Sequence, residues 1–340
     1  MKVGLVKTVD LFAGCGGLSL GFSLEGFEVV AAYERWPAAA DCYARNFSHP
    51  VLRTDLSDAA AVVDEIAARE PELIIGGPPC QDFSQAGKRV ESTRANLTES
   101  FARIVASIKT PYFVMENVER ARKSAAYAAA REIFKTAGYG LTEIVLDASL
   151  CGTPQKRKRF ICFGALGRED KFAESVFKSR LAKKPTTLRD YYGDSLGFEF
   201  YYRHPRNYSR RAVFSIDEPA PTMRGVNRPV PKGYPGHRLD ARPVDESVRA
   251  LTTAERALVQ TFPRDFVWVG NKTEVEQMIG NAVPVTLARF VARVVKEIAG
   301  QNAPGVEEPQ TRPVSRAKEA PTPSAPDVED DSEKCASVAS

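Results

Sequence analysis

Residues 3–24, VGLVKTVDLFAGCGGLSLGFSL, decide the fold of this chain. The apolar start, residues 3–9, predicts a short buried strand, and the periodic apolar residues at 18–24 predict a helix. The glycines between them allow a tight turn in which the backbone can approach a ligand at the free amides of the helix. The segment therefore predicts the strand, turn and helix of a ligand-binding α/β unit, although a plain structural turn fits the glycines equally well.

An acidic residue stands where a ribose-binding carboxylate is expected. The next predicted strand, residues 28–33, is followed directly by Glu34, twenty residues after Gly14. At about this distance behind a glycine turn, an acidic side chain accepts hydrogen bonds from ribose hydroxyls. The glycines do not complete the pattern G-x-G-x-x-G, so it is the turn and Glu34 together that predict a cofactor containing a nucleoside.

Strands and helices continue to alternate as far as residue 163. A short strand near Val51 precedes Asp55 and Leu56, and Glu116 directly follows a later strand. Such alternation predicts a doubly wound α/β domain with a mostly parallel sheet, whose ligands gather at the carboxyl ends of the strands. The later predicted strands are 73–75, 112–115, 141–146 and 159–163, and the predicted helices are 38–47, 62–69, 101–108 and 125–137.

The loop GGPPCQDFS, residues 76–84, places Cys80 directly after a buried strand. Two prolines fix φ at adjacent positions and the glycines permit a sharp exit, so the loop should hold the thiol in one place. This setting favours a nucleophile over the small buried hydrophobe that an average cysteine is. The histidines, His49, His204 and His237, do not stand in motifs that would make one of them the base of a cysteine hydrolase.

Composition predicts a soluble, cytoplasmic protein. The chain has 340 residues, of which 43% are hydrophobic, and this is enough for a large core. The N-terminal residues lack the features of a secretion signal, and no run of about 18 apolar residues occurs, so we expect no membrane partner. The six cysteines show no C-x-x-C spacing, so we expect neither disulfides nor a bound metal.

Positive charge is concentrated in one region. Residues 151–250 contain 21 lysines and arginines and 11 acidic residues, although the whole chain has a net charge of only +4. Within this region the alternation stops, and prolines, tyrosines and arginines mix, as in RHPRNYSRR (203–211). The composition suits a small loop-rich domain that contacts the phosphates and base edges of nucleic acid, but it also fits an ordinary irregular insert.

Three parts of the chain are therefore expected. Residues 1–185 and 276–300 form a catalytic and cofactor-binding domain, which ends in a long helix whose start is marked by Pro284. Residues 186–275 form the second domain. Residues 301–340 contain hardly any large apolar residues, so they cannot offset the entropy of ordering and are expected to be a disordered tail.

Six segments in order resemble the DNA cytosine-5 methyltransferases of bacterial restriction-modification systems. The resemblance implies a Rossmann-like fold that binds S-adenosylmethionine, and a target-recognition domain marked by the pair Thr222-Met223. Leu258 departs from the family, which usually has arginine at this position. The segments, which cover residues 7–298, are DLFAGCGG (10–17), GGPPCQDFSQAG (76–87), ENV (116–118), QKRKR (155–159), R-x-L-T-x-x-E-x-A-x-x-Q-x-F-P (249–263) and GNAVP (280–284).

The resemblance implies covalent catalysis by Cys80. Addition of the thiolate to carbon 6 of cytosine makes carbon 5 nucleophilic enough to take a methyl group. A protonated Glu116 with a raised pKa would hydrogen-bond ring nitrogen 3. Arg157 and Arg159 are implied to lie near the base and Cys80, where positive charge favours the thiolate. Basic residues in such a run are otherwise most often phosphate contacts or solvated charges, and this alternative stays open.

The implied cofactor, S-adenosylmethionine, comes with a set of binding residues. Glu34 is assigned to the ribose, Phe12, Asp55 and Leu56 to the adenine, and Gly14 and Gly16 to the methionine moiety. For the apolar members of the set, an ordinary place in the core is the alternative. The residues that complete the implied pocket are Pro79, Leu97, Asn281 and Val283.

Double-stranded DNA is the implied partner. The target cytosine must leave the base stack, and basic residues of the second domain offset the cost of extruding it. The enzyme is expected to be a monomer that shares its recognition site with a restriction endonuclease. The implied DNA-binding residues, which steady the opened strand or read guanine edges, are Gln81, Ser84, Arg203, Arg206, Arg210, Thr222, Arg224 and Arg228.

Two other functions stay open from the sequence. An RNA cytosine-5 methyltransferase would share the fold, but its loop after the cysteine resembles C-x-F-T rather than Cys80-Gln81-Asp82-Phe83-Ser84. A DNA-binding homologue without catalysis would need neither the thiol nor the cofactor. The intact Cys80 loop, Glu116 and the glycine turn favour the enzyme.

Overall fold

A computed structural model of the chain describes residues 6–79, 97–207 and 209–300. Its strands up to residue 166 are β1 (Lys7–Leu11), β2 (Glu28–Tyr33), β3 (Val51–Leu52), β4 (Leu73–Gly76), β5 (Tyr112–Val118), β6 (Tyr139–Asp147), β7 (Gln155–Lys156) and β8 (Lys158–Leu166). All of these except β7 form a seven-stranded sheet in the order β3-β2-β1-β4-β5-β8-β6. Neighbouring strands are parallel except where β8 pairs with β5 and β6. The predicted mostly parallel α/β fold is thus confirmed.

Helices cover both faces of the sheet, because successive side chains of a strand point to opposite faces. Ile74 and Phe113 pack in one hydrophobic cluster with the helices at residues 60–67, 97–108 and 125–136. Ile75 and Val114 pack in another cluster with the helices at residues 17–24 and 285–300. The helices are α1 (Gly17–Leu24), α2 (Pro37–Ala44), α3 (Ala60–Ala67), α4 (Leu97–Ile108), α5 (Ala125–Thr136), α6 (Glu174–Ser179), α7 (Leu188–Tyr192), α8 (Thr253–Val259), α9 (Lys272–Asn281) and α10 (Val285–Gly300).

A crevice opens between β1 and β4, where the direction of the strand order reverses. These strands are parallel neighbours, with Leu11 opposite Gly76, but α1 after β1 and α4 before β5 lie on opposite faces of the sheet. A side chain at Gly76 would overlap the carbonyl oxygen of Leu11, so a glycine is required there. Open α/β sheets bind their ligands at this kind of switch point, outside the carboxyl ends of the strands.

Residues 186–275 contain only short elements, as the loss of alternation predicts. Strands β9 (Phe200–Tyr202) and β10 (Val213–Ser215) form an antiparallel hairpin, and β11 (Ala220–Pro221) pairs with β7. Two small hydrophobic clusters around Tyr201 and Tyr202 provide this region with a core. The predicted boundary at residue 276 falls inside α9, because the Asn271 side chain caps the helix at its start by accepting the N–H of Glu274.

The bounds of strand β5 and helix α10 can be compared with those predicted from the sequence. Strand β5 continues to Val118, so Glu116 and Asn117 lie within it, because they pair with Ile161 and Phe160 of β8. Helix α10 begins directly after Pro284, as predicted. The stretch Lys272–Gly300, which contains α9 and α10, is long and apolar enough by composition to cross a membrane, but most of it is buried in the core of the protein.

A buried carboxyl group lies in β1, beside the glycine turn. The Asp10 Oδ2 atom accepts a 2.6 Å hydrogen bond from Ser19 Oγ, which in turn accepts one from the Tyr43 hydroxyl. Tyr43 also lies 2.6 Å from His49 Nε2. Burial raises the pKa of Asp10 to about 7, an effect that the Ser19 hydrogen bond opposes. The carboxyl is therefore held in the protonated form over a pH range in which an exposed aspartate is charged.

We predict that Asp10 makes the folded state less stable as the pH rises. Because its pKa is higher in the folded state than in the unfolded state, its contribution to stability is complete below about pH 4 and is lost as the pH rises through about 7. An Asp10→Asn variant does not lose stability in this way, because the amide of asparagine does not titrate. Its free energy of unfolding relative to the natural protein should increase by up to about 4 kcal/mol between pH 4 and pH 8.

Urea unfolding at several pH values measures this difference. Asp64→Asn is the matched control, since Asp64 is an exposed residue of α3. A constant difference between Asp10→Asn and the natural protein across this pH range would contradict the assignment of a raised pKa.

Candidate active site

The crevice widens into one cavity of about 960 Å³, a size typical of a site for a cofactor-sized molecule. It extends from the glycine turn after β1 to the carboxyl end of β5. It therefore brings together most of the predicted cofactor residues and three of the four predicted catalytic ones. The predicted residues that line it are Phe12, Gly14, Glu34, Asp55, Leu56, Pro79, Leu97, Glu116, Arg157, Arg159, Asn281 and Val283.

The Glu34 carboxylate is fixed by two backbone donors. The N–H of Gly14 donates to its Oε2 atom at 2.8 Å, and the N–H of Trp36 donates to its Oε1 atom at 2.7 Å. The acid at the end of β2 and the glycine turn after β1 are thus joined directly. A carboxylate oxygen can accept more than one hydrogen bond, so Glu34 retains acceptor capacity toward the cavity.

The glycine turn adopts backbone conformations that a cofactor site commonly requires. Phe12, Gly14 and Gly16 all have positive φ angles, of 57°, 57° and 94°. A Cβ atom added at Gly14 would meet no described atom within 4 Å, which leaves open space for a ligand beside the backbone. Gly16 is not among the described residues that line the cavity, since its Cα faces the rings of Phe47 and Tyr43.

The part of the cavity wall formed by Asp55, Leu56 and Trp36 combines an apolar surface with an exposed carboxylate. Leu56 is buried, whereas Asp55 is exposed and accepts a 2.8 Å hydrogen bond from Arg35. The N–H of Ser57 and the Arg35 guanidinium lower the pKa of Asp55, so it is charged at neutral pH. Trp36, which the sequence did not single out, also lines this part of the cavity. An aromatic and aliphatic wall with acidic groups at its edge fits a nucleoside.

Glu116 and Arg159 form a buried ion pair at the other end of the cavity. Arg159 Nε lies 2.7 Å from Glu116 Oε1, and both side chains are almost inaccessible to solvent. Burial raises the pKa of Glu116, although the charges of Arg159 and Arg157 oppose this. A Cβ atom at Gly77 would lie 3.3 Å from Glu116 Oε2, so the start of the proline loop runs past this carboxyl.

Asn117 fixes the loop that leads to Cys80. Its Nδ2 atom donates a 3.0 Å hydrogen bond to the carbonyl oxygen of Pro78. The motif ENV contains this residue, but nothing in the sequence indicates that its amide contacts the prolines 39 residues earlier. The predicted residues Cys80, Gln81 and Ser84 lie outside the described residues, as does the predicted tail, 301–340.

Arg157 is buried, and its side chain donates hydrogen bonds to the backbone carbonyl oxygens of three residues. Its guanidinium donates to the carbonyl oxygens of Met223 at 3.0 Å, Gly280 at 2.9 Å and Ala282 at 3.0 Å. Burial lowers its pKa, and the charge of Arg159 acts in the same direction. Arg157 thus lines the cavity and also connects β7 and β8 to the segments that carry Thr222 and Asn281.

Most of the predicted DNA-binding arginines are close together. The pKa of Arg203 is lowered to about 10 by burial and by the charges of Arg224, Arg256 and Arg206. The pKa of Arg224 is likewise lowered by burial and by Arg206 and Arg228. None of the ion pairs among the described residues involves Arg203, Arg206, Arg224 or Arg228, and a group of arginines without carboxylate partners has the charge pattern of a phosphate-binding surface. Arg210 is exposed on the loop after Arg206.

The pair Thr222-Met223 is attached to β7. The Thr222 hydroxyl donates to the carbonyl oxygen of Lys156 at 2.7 Å, and the N–H of Met223 donates to Gln155 Oε1 at 3.0 Å. Arg203 in turn donates to the carbonyl oxygen of Thr222 at 2.6 Å. The predicted pair therefore joins the arginine cluster to the edge of the cavity.

Solved structures with the same fold are methyltransferases. The Dnmt2 methyltransferase of S. pombe matches with a TM-score of 0.64 and 17% identity, covering 87% of this chain and 99% of that one. A putative DNA modification methyltransferase encoded within a prophage of E. coli matches with a TM-score of 0.63 and 21% identity, covering 87% of this chain and 100% of that one. The fold is thus the Rossmann-like fold of methyltransferases that in general use S-adenosylmethionine.

Sequence comparison then defines the family. Residues 6–297 match the model of the C-5 cytosine-specific DNA methylases, and the chain belongs to this family. The Type II methyltransferase M.HindV of Haemophilus influenzae is 55% identical over 292 residues, which are 85% of this chain and 96% of that protein. The Type II methyltransferase M.HgiDI of Herpetosiphon aurantiacus is 54% identical over 297 residues, 87% of this chain and 96% of that protein.

We predict that Glu34→Gln weakens the binding of S-adenosylmethionine by about tenfold or more, because an amide is a poorer acceptor than a carboxylate for ribose hydroxyls. Isothermal titration calorimetry measures the affinity. Glu28→Gln, an exposed change at the start of the same strand, serves as the control and should leave the affinity unchanged. Equal affinities for the two variants would contradict the assignment of Glu34 to the cofactor.

Proposed function

We propose that this DNA cytosine-5 methyltransferase modifies one cytosine within a short sequence of double-stranded DNA, and that it does so by covalent catalysis from Cys80. The observation that carries the proposal is that one continuous cavity contains both parts of the site. One end contains the acid, glycine turn and apolar wall that suit a nucleoside cofactor, and the other contains the buried Glu116 and Arg159. The proline loop that precedes Cys80 runs along the same cavity.

The residues fit S-adenosylmethionine. When bound, this cofactor supplies a methyl group that is activated by a positively charged sulfur. Glu34 would accept hydrogen bonds from the ribose hydroxyls, and Phe12, Leu56 and Leu97 would enclose the adenine with Asp55 at its edge. Gly14 would leave room for the methionine moiety, while Pro79, Asn281 and Val283 complete the wall.

The chemistry requires a nucleophile, because carbon 5 of cytosine is only weakly nucleophilic. We assign this role to the Cys80 thiolate, which forms a bond to carbon 6 and shifts electron density to carbon 5. Carbon 5 would then take the methyl group, whose bond to the sulfonium sulfur breaks so that the sulfur keeps the electron pair. A base would remove the carbon 5 proton, and the electron pair of that bond would re-form the 5,6 double bond. The thiolate leaves in the same step, so the enzyme returns to its starting state.

Glu116 is suited to stabilise the negative charge that develops on the ring. Its burial raises its pKa and so favours the protonated carboxyl, which can donate a hydrogen bond to ring nitrogen 3. Arg159 would hold this carboxyl in place by donating a hydrogen bond from Nε to Oε1, which the protonated group can still accept. For Arg157 we propose a positioning role, because its N–H groups already donate to three carbonyl oxygens.

The arginine cluster is proposed to bind the DNA. Arg203, Arg206, Arg224 and Arg228 would contact phosphates and guanine edges, and Arg210 would add a further contact from its exposed loop. Gln81 and Ser84 would steady the strand from which the base is extruded. Such binding should weaken steeply as the salt concentration rises.

The biological role follows from the relatives. The similar proteins are named Type II methyltransferases, a class that accompanies restriction endonucleases. We infer that this enzyme acts in the cytoplasm as a monomer and protects DNA from an endonuclease that recognises the same sequence. The finer division into catalytic residues 1–185 and 276–300 and target-recognition residues 186–275 is part of this proposal.

A mechanism-based trap tests the role of Cys80. A duplex with 5-fluorocytosine at the target position should form a covalent complex with the natural enzyme, because fluorine cannot leave as a proton does. The Cys80→Ser variant should form no complex and should lose methyl transfer, while its DNA affinity stays within about threefold of the natural value. Gel electrophoresis under denaturing conditions detects the adduct. Near-normal turnover by Cys80→Ser would disprove the mechanism.

A second prediction concerns Glu116. The Glu116→Gln variant should lose about 10²- to 10⁴-fold in kcat, because an amide cannot supply a proton to the ring. In the natural enzyme, kcat should fall as the pH rises through the raised pKa of Glu116, since only the protonated form is active. The variant should lack this decline.

Single-turnover methyl transfer from labelled cofactor, followed between pH 5 and pH 9, measures both effects. Glu119→Gln, an exposed change just after β5, is the control that should keep the natural kcat and pH profile. A Glu116→Gln variant with the natural pH dependence would show that another group titrates.

A further inference from the structure

A second buried ion pair lies outside the cavity, between helices α8 and α9. Arg256 Nε is 2.5 Å from Glu276 Oε2, and the side chains are only 4% and 5% exposed. Neither residue is among the described residues that line the cavity. Replacing such a pair by apolar residues of similar size is often neutral or stabilising, so stability by itself does not explain why the pair is present.

The pair bonds to the backbone of one loop. Arg256 donates to the carbonyl oxygen of Val226 at 3.3 Å and to the carbonyl oxygen of Arg224. On the other side, Asn227 Nδ2 donates to the carbonyl oxygen of Leu251 at 2.7 Å and lies 3.4 Å from Glu276 Oε1. The loop of residues 224–228 is therefore bonded to α8 at residues 224 and 226, and at residue 227 to Leu251 before α8 and to Glu276 of α9.

The backbone of this loop packs closely against α9, through Gly225 of the loop and Gly280 of the helix. A Cβ atom added at Gly280 would overlap the backbone N–H of Gly225, and one added at Gly225 would overlap the side chain of Gln277. The loop also follows directly after Met223, whose carbonyl oxygen accepts a hydrogen bond from Arg157. Its backbone thus has one position relative to the cavity.

The residues that this arrangement presents to solvent are those suited to reading DNA. Val226 is 55% exposed although it is apolar, and Arg228 is exposed at the end of the loop. An exposed arginine can bond to a guanine edge, and an exposed aliphatic side chain can contact the methyl group of a thymine. Leu258 stands where the family usually has arginine, whereas Arg256, two residues earlier, provides the buried guanidinium of α8.

We propose that the Arg256–Glu276 pair is a positioning element for sequence recognition: it fixes the loop of residues 224–228 so that Val226 and Arg228 meet the target bases. The proposal rests on the proposed function. The pair itself does not contact DNA. Loosening it should let the loop adopt other positions, so that the enzyme discriminates less between its own sequence and near matches.

The test compares the natural enzyme with Arg256→Met/Glu276→Leu, which replaces the pair by apolar side chains of similar size. The double variant should fold and keep its affinity for S-adenosylmethionine, with a urea midpoint that falls only modestly, because the carbonyl oxygens of Arg224 and Val226 lose their donor. Its kcat/KM on the recognition sequence should fall about 10- to 100-fold, mainly through KM for DNA. Its preference for that sequence over sites that differ by one base pair should fall about tenfold or more, because one mismatched base pair normally weakens specific binding by roughly 5- to 150-fold and the loosened loop would lose much of this difference.

Two further variants keep the test decisive. If the double variant does not fold, Arg256→Lys retains the charge and the pairing with Glu276 but cannot reach both carbonyl oxygens, and it should show the same loss of discrimination. Arg289→Met breaks a different helix contact, the 2.7 Å ion pair with Glu25, and should leave discrimination unchanged.

The experiment distinguishes failure of the proposed function from failure of the role proposed for Arg256 and Glu276. A natural enzyme that binds cofactor but methylates no DNA would overturn the proposed function, and this inference with it. A natural enzyme that methylates one sequence, together with a folded double variant that discriminates equally well, would overturn only the role of Arg256 and Glu276.

Discussion

The hydrogen bonds of Arg157 are the constraint on which the rest of the site depends. One buried guanidinium donates to carbonyl oxygens at Met223, Gly280 and Ala282. It thereby joins the central sheet, the loop that begins the proposed DNA-reading region and the turn beside the proposed cofactor pocket. Burying this charge costs free energy, which the three charge-assisted hydrogen bonds offset. Removing the guanidinium would take a donor from three carbonyl oxygens at the point where these segments meet, of which the Ala282 oxygen would keep a 3.1 Å hydrogen bond from Gln260 Nε2.

Glu34 and Glu116, two of the three described acidic residues that line the cavity, illustrate how the surroundings of a side chain determine its use. Glu34 accepts two backbone N–H groups and remains partly accessible, which suits a fixed acceptor for hydroxyl groups. Glu116 is buried beside Arg159, and burial raises its pKa, which suits a group that must carry a proton. In the proposed mechanism, the same residue type therefore serves binding at one end of the cavity and catalysis at the other.

Local patterns made the fold and half of the site predictable. The glycine turn, Glu34 and the carboxyl end of β5 follow from periodicity and spacing, because each lies within one strand–turn–helix unit. Contacts between distant segments were not predictable in this way. Asn117 bonds to a carbonyl 39 residues earlier, and Arg157 bonds to carbonyls 66 to 125 residues later. The Arg256–Glu276 pair and the wall residue Trp36 were missed for the same reason: each has its role only when separate elements have packed. The antiparallel direction of β8 likewise leaves no trace in the composition of the strand.

Bisulfite sequencing of a plasmid recovered from a methylation-free host that expresses this chain would decide whether the enzyme acts as described. The cavity, the arginine cluster and the family together predict that cytosines at one position of one short sequence motif are protected from conversion, and that cytosines elsewhere are not. Complete conversion of the plasmid, with the chain expressed, folded and able to bind S-adenosylmethionine, would contradict duplex DNA as the substrate and would redirect the search to RNA or to a missing partner chain.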